Sequence, residues 1–150
     1  MNVRKAIKKD AESIIHVINE SVLNTHKDLY PREDIEETLN NYTLEKVLHY
    51  INDYDYFVAE EDSKIIGCVL GKEDKMRSLY VLPTFMGKGF GRELVKVVEE
   101  KVKERGYKKI WLWSSLIAHD FYKHMGYTDV KEIPNKEGLI LHIEMKRIFD

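Results

Sequence analysis

Cysteine occurs once, proline three times and glycine eight times in the 150 residues. With Cys68 alone, an internal disulfide is excluded, and a reducing cytoplasm suits the chain. Cys68 stands in the apolar run Ile65-Ile-Gly-Cys-Val-Leu70, which reads as a buried strand, so its thiol is expected to pack and not to react. No apolar run approaches the ~20 residues of a membrane span, and residues 1–10 lack the apolar centre of a signal peptide. Neither sign of charge dominates: 24 basic and 26 acidic residues leave −2, too little to imply nucleic-acid binding. Lys101, Lys103, Arg105, Lys108 and Lys109 do cluster, but Glu99, Glu100 and Glu104 are interleaved with them, as on a solvated helix face. The histidines, at 16, 26, 49, 119, 124 and 142, show none of the close spacings of metal ligands, and no metal is expected.

What is present fits one α+β domain that buries roughly 70% of its unfolded-chain surface. Residues 3–7 read as a first strand, and Asp10 as the cap of a helix carrying Ala11, Ile14, Ile15, Ile18 and Val22 on one face. A polar stretch with Pro31 has room for a short helix over 33–39. Thr43 then caps a helix with Leu44, Val47, Leu48 and Ile51. Runs at 56–59 and 65–70 flank a polar turn and predict an antiparallel hairpin. A strand over 76–82 follows, then a helix stopped by Gly106, a strand over 109–113, a helix over 116–125 stopped by Gly126, and a closing hairpin of 127–133 with 139–145. Trp111 and Trp113 share one strand face and are expected in the core or covering the sheet.

The segment with most chemical content is Leu79-Tyr-Val-Leu-Pro-Thr-Phe-Met-Gly-Lys-Gly-Phe-Gly91. A strand ends before Pro83, three glycines follow within five residues, and an amphipathic helix starts at once. The first N–H groups of a helix have no intrahelical acceptor and sit at the positive end of its dipole, so such a start binds anions. Glycines at 87, 89 and 91 remove side chains that would keep a phosphate at a distance. A triphosphate loop requires Gly-Lys-Ser/Thr, and no hydroxyl residue follows Lys88 here. A dinucleotide fingerprint requires a third glycine where Arg92 stands and a carboxylate after the next strand, which ends Trp113-Ser-Ser115.

The strand, glycine turn and helix resemble the coenzyme-binding segment of the GNAT superfamily of N-acetyltransferases, whose pattern is Gln/Arg-x-x-Gly-x-Gly/Ala. Gly89 and Gly91 match it, and Met86 replaces the Gln/Arg. A second segment, Ser115-Leu-Ile-Ala-His-Asp-Phe-Tyr-Lys-His-Met-Gly-Tyr127, resembles the family's Asn/Ser-x-x-Ala-x-x-Phe-Tyr-x-x-x-Gly-Phe/Tyr motif throughout. The resemblance covers roughly residues 56–147. It implies a mixed, mostly antiparallel sheet of six to seven strands flanked by helices, with a splayed parallel pair around coenzyme A. It implies acetyl-CoA as co-substrate, a small-molecule or peptide amine as acceptor, and a direct attack through a tetrahedral intermediate. Homodimers are common among relatives.

By the same resemblance, the backbone of Leu79, Tyr80 and Val81 pairs with the pantetheine arm. Met86, Gly87, Lys88, Gly89, Phe90, Gly91 and Arg92 form the pyrophosphate site. Ser115, Ala118 and Phe121 complete the coenzyme wall, and Tyr122 protonates the departing thiolate. The proton acceptor for the amine is left open among Glu73, Asp74, His119 and His142, because residues 76–82 and 110–115 hold no carboxylate. That gap sustains an alternative, an acetyl-CoA-binding module without catalysis.

Overall fold

The computed structural model describes residues 2–150. The chain runs β1 (Asn2–Lys5), α1 (Ala11–Thr25), α2 (Arg32–Asn40), α3 (Leu44–Asp53), β2 (Asp55–Glu61), β3 (Lys64–Lys72), β4 (Lys75–Val81), α4 (Phe90–Glu104), β5 (Lys109–Ser115), α5 (His119–His124), β6 (Thr128–Pro134) and β7 (Ile140–Ile148). Seven strands form one sheet in the order β1-β2-β3-β4-β5-β7-β6, and every neighbouring pair is antiparallel except β4 with β5. The expected α+β architecture is the one found.

β3 is buried without a break from Ile65 to Gly71, so both faces of the sheet centre are covered. α4 presses on one face with Leu94, Val95, Val98 and Val102, which repeat at helical spacing and are all fully buried. Glycine in β3 permits this approach: a Cβ on Gly71 would lie 3.0 Å from Val98 Cγ1. α1 and α3 cover the other face with Ile14, Val17, Ile18, Val22 and Val47, none of which reaches solvent.

Local differences from expectation have physical reasons. Asp10 stands before α1 without capping it. Its carboxylate accepts the Ile7 N–H at 2.8 Å and both terminal nitrogens of Arg4, at 2.8 and 3.0 Å, and so ties β1 to the helix start. Thr43 does cap α3, accepting the Lys46 N–H at 3.3 Å. The helix expected over 116–125 shrinks to the six residues of α5, because residues 116–118 turn to follow the end of β5. Neither tryptophan enters the core: Trp113 is 59% exposed, and Trp111 is only partly covered, with the Lys109 and Lys146 ammonium groups over its ring.

Candidate active site

β4 and β5 run side by side in the same direction but pair only once, Lys75 with Trp111, reinforced by the Trp111 N–H donating to Asp74 O at 2.9 Å. Beyond that contact each strand follows its other neighbour. All of β5 from Lys109 to Ser115 is in register with β7, and β4 remains on β3 out to Val81. The turning point is a bulge: Cys68 faces Tyr80 while Leu70 faces Arg77, so Ser78 and Leu79 together oppose Val69. Ser78 takes the left-handed conformation, φ 58°, and its hydroxyl is bonded to that of Tyr42 in the loop before α3. The result is a cleft that widens toward the carboxyl ends of two parallel strands.

Which backbone groups face that cleft follows from strand alternation. Leu82 N–H donates to Ile66 O of β3 at 2.8 Å, so Tyr80, two residues back, also turns to β3, where Cys68 is its partner. Leu79 and Val81 point the other way, toward the edge that β5 has left. The Ser21 hydroxyl of α1 donates to Val81 O at 3.0 Å, and strand alternation turns the Val81 N–H toward the same edge. Of the three residues expected to hold an extended ligand, the backbone of Leu79 and Val81 meets the cleft and that of Tyr80 does not.

At the wide end, Pro83–Phe85 make a single 3-10 turn and Met86 continues extended, half exposed. Gly87 (φ 76°) and Gly89 (φ 91°) then reverse the chain in conformations closed to most side chains. Phe90 anchors the helix start in the core, 2% exposed and edge-on to Phe85. The first bond of α4 is Glu93 N–H to Gly89 O at 3.2 Å, so the N–H groups of Phe90, Gly91 and Arg92 lie ahead of any intrahelical acceptor. Lys88 and Arg92 are exposed beside them. Gly91 lets the second motif close in, since a Cβ there would lie 3.4 Å from Phe121 Cζ.

The β5–α5 connection forms the other wall. Ser115 Oγ accepts the Ala118 N–H at 3.2 Å and sets the start of α5. This orients Tyr122, 6% exposed, whose ring meets Phe121 and Tyr127 at 5.2 and 5.6 Å. Burial alone pushes the Tyr122 phenol above its ordinary range, so it stays protonated at any physiological pH. Tyr80, on β4, is within electrostatic range of Tyr122, and burial raises its phenol as well. The mouth is rimmed by residues that the sequence reading did not connect. Tyr30, from the loop after α1, accepts the Leu116 N–H on its hydroxyl at 2.8 Å and stacks obliquely with His26 and His142.

A family model for the GNAT acetyltransferase domain matches residues 22–149. The chain belongs to the GNAT acetyltransferase family. It is 26% identical to the spermidine N(1)-acetyltransferase of Thermoplasma acidophilum over 141 residues, 85% of this chain and 88% of that one. It is also 32% identical to an N-acetyltransferase of Chlorobaculum tepidum over 95 residues, a match that spans only 59% of that relative's length. Among solved structures, the PaiA N-acetyltransferase of Thermoplasma acidophilum in complex with coenzyme A superposes with a TM-score of 0.85 at 25% identity, covering 99% of this chain and 98% of that one.

As a GNAT protein the chain is an acetyl-CoA-dependent N-acetyltransferase, and its own geometry fits that co-substrate. The β4 edge lacks a strand partner where an extended amide-bearing arm would add one, and the glycine turn offers free N–H groups where a diphosphate would follow. Among the described residues, no group of three His, Cys, Asp or Glu side chains is arranged to hold a metal ion. No helix of the described residues is long and apolar enough to cross a membrane. Cys68 is buried, and burial pushes its thiol up to about 12, so it is chemically quiet. Of the open proton acceptors, Glu73 and Asp74 lie at the zipped end of the strand pair, away from the cleft mouth. His119 is tied to Asp129 of β6 at 2.7 Å.

Proposed function

We propose that this enzyme acetylates a primary amine of a small molecule by direct attack on the thioester through a tetrahedral intermediate. The observation that carries the reading is the parting of β4 from β5 after one residue pair, directly upstream of the glycine turn. The relative that acts on spermidine favours a small amine over a protein acceptor. An amine of pKa ~10 is mostly protonated at neutral pH, so the enzyme must also remove a proton.

Bound acetyl-CoA supplies a thioester carbonyl, which is electrophilic because sulfur donates little electron density to it. The protein does the rest. Leu79 and Val81 align the arm with their backbone groups, and one of these N–H groups meets the carbonyl oxygen as it gains charge, a contribution of about 3 kcal/mol for one such donor. Gly87, Gly89, Phe90, Gly91 and Arg92 hold the diphosphate by backbone N–H groups. Lys88 and the Arg92 guanidinium add charge at its rim, with Met86 beside them. Ser115, Ala118 and Phe121 form the wall that positions Tyr122, the acid that protonates the departing sulfur. The cleft that desolvates this phenol also desolvates the thiolate. Cys68, in the neighbouring core, shows how strongly burial favours the protonated sulfur.

An open cleft and a solvent-shielded tyrosine at its wall favour turnover over the module without catalysis. The test is release of free thiol from acetyl-CoA against polyamines, aminoglycosides, amino acids and peptides. Turnover with a small amine and none with peptides is expected. Coenzyme binding with no amine-dependent release would overturn the reading.

A further inference from the structure

We propose that His142 of β7 is the base that receives the acceptor amine's proton, on the sheet face opposite α4. The inference rests on the acetyltransferase reading above. His142 stands opposite Ser115, the last residue of β5, and so lies across β5 from the cleft, level with its open end. It shares its strand face with Glu144, and on β5 with Trp113 and Ser115, whereas Leu112, Ser114 and Met145 point into the core toward α4 and α5. Its ring lies 6.3 Å from that of Tyr30 and 6.1 Å from that of Trp113, both in tilted contact, so the imidazole is flanked by aromatic surface on two sides.

Elimination strengthens the assignment. His49, His119 and His124 are each held by a partner at 2.6 or 2.7 Å, namely Asp53, Asp129 and the Asp120 carbonyl. His16 faces the far groove beside Arg4 and Glu60. His26 and His142 are both half-buried and both in ring contact with Tyr30, and neither ring nitrogen of His142 is hydrogen-bonded among the described residues. Burial holds His142 neutral at pH 7, and Asp34 of α2 pulls weakly the other way. His26, which follows the last turn of α1, is likewise held down by burial and, more weakly, by His142. The remaining groups around it are the Tyr30 hydroxyl, occupied by Leu116 N–H, Glu144, which accepts the Trp113 indole N–H at 3.2 Å, and Ile133 of β6.

One ammonium proton passes to His142 and on to solvent, and the freed nitrogen pair forms the N–C bond. The C–S bond then breaks with its pair on sulfur, which takes the Tyr122 proton. The second proton lost from nitrogen restores the phenol.

The test is log kcat/KM against pH, from 5 to 10, with an alkylamine acceptor found in the panel. Wild type should stay flat from neutral pH up to the amine's own pKa near ~10 and fall only on the acid side, below the ordinary imidazole range. His142→Gln and His142→Ala should lose roughly 100-fold or more at pH 7 and rise with unit slope, approaching wild type near pH 10 as free amine accumulates. Acetyl-CoA binding by calorimetry should not change, and His119→Gln should keep the wild-type profile. A variant that keeps the plateau, or is depressed equally at all pH values, overturns the assignment. So does a wild type that itself rises with unit slope from pH 6 to 10, a result that needs no variant. Wild type inert toward every amine would overturn the acetyltransferase reading and this assignment with it.

Discussion

Replacing Gly89 with alanine separates the strain of the glycine turn from its ligand-binding role. Gly89 sits at φ 91°, ψ −2°, where an L side chain costs about 1–2 kcal/mol. The stiffer unfolded chain offsets ~0.4–1 kcal/mol of that. The net loss of about 1 kcal/mol should lower Tm by ~2–4 °C in a chain of this size. The larger effect is on coenzyme affinity. If the backbone relaxes toward negative φ, the N–H groups of Phe90, Gly91 and Arg92 rotate away from the anion, and each charge-assisted bond lost is worth ~1.5–3 kcal/mol. One such bond means about 10- to 100-fold in Kd. Gly138→Ala is the matched control: φ is 83° there, nothing lies within 4 Å of an added Cβ, and the residue is in the β6–β7 turn. Both variants should melt earlier by a similar margin in scanning calorimetry, but only Gly89→Ala should bind coenzyme A more weakly in titration calorimetry. Unchanged affinity in Gly89→Ala, or equal weakening in Gly138→Ala, would refute the claim that turn geometry presents the anion site.

Two further outcomes follow from the wall and the core behind it. Tyr122→Phe should lower kcat on the order of 10²-fold with KM for acetyl-CoA little changed, because the hydroxyl acts on the leaving sulfur and the ring packing survives; an unaltered kcat in steady-state thiol release would remove Tyr122 from the chemistry. Arg147→Leu should cost about 3 kcal/mol in urea unfolding, since Glu99, with a side chain 5% exposed, would keep only the Tyr127 hydroxyl at 2.8 Å. A loss under 1 kcal/mol would mean that the Tyr127 bond alone suffices.

The cleft was legible in the sequence because its parts are local. Gly89, Gly91 and the run from Ser115 to Tyr127 are where the sequence resembles the two GNAT motifs, and each lies directly after a strand. Helix faces such as Leu94, Val95, Val98 and Val102 were equally plain, because burial repeats with the helix. The mouth was not legible. His26, Tyr30 and His142 come from three separate segments, and the polar stretch around Pro31 gives no periodicity to say where its side chains fall. Asp10 looked like a helix cap because Asp suits that place, but Arg4 from β1 competes for its carboxylate. Trp111 and Trp113 stay out of the core, on the sheet surface, because β5 is covered by helices on only one face along this stretch, a tertiary fact that alternation alone does not contain. The bulge at Ser78, which opens the cleft, has no local signal either, as serine is not a residue that marks left-handed backbone.

Amide hydrogen exchange at Val81, followed by NMR with and without acetyl-CoA, bears most directly on the claim that the arm joins the open edge of β4. Marked slowing at Val81 on saturation, with Tyr80 already protected in the free protein, is the expected result. Saturating coenzyme that leaves Val81 exchanging as fast as before would contradict it.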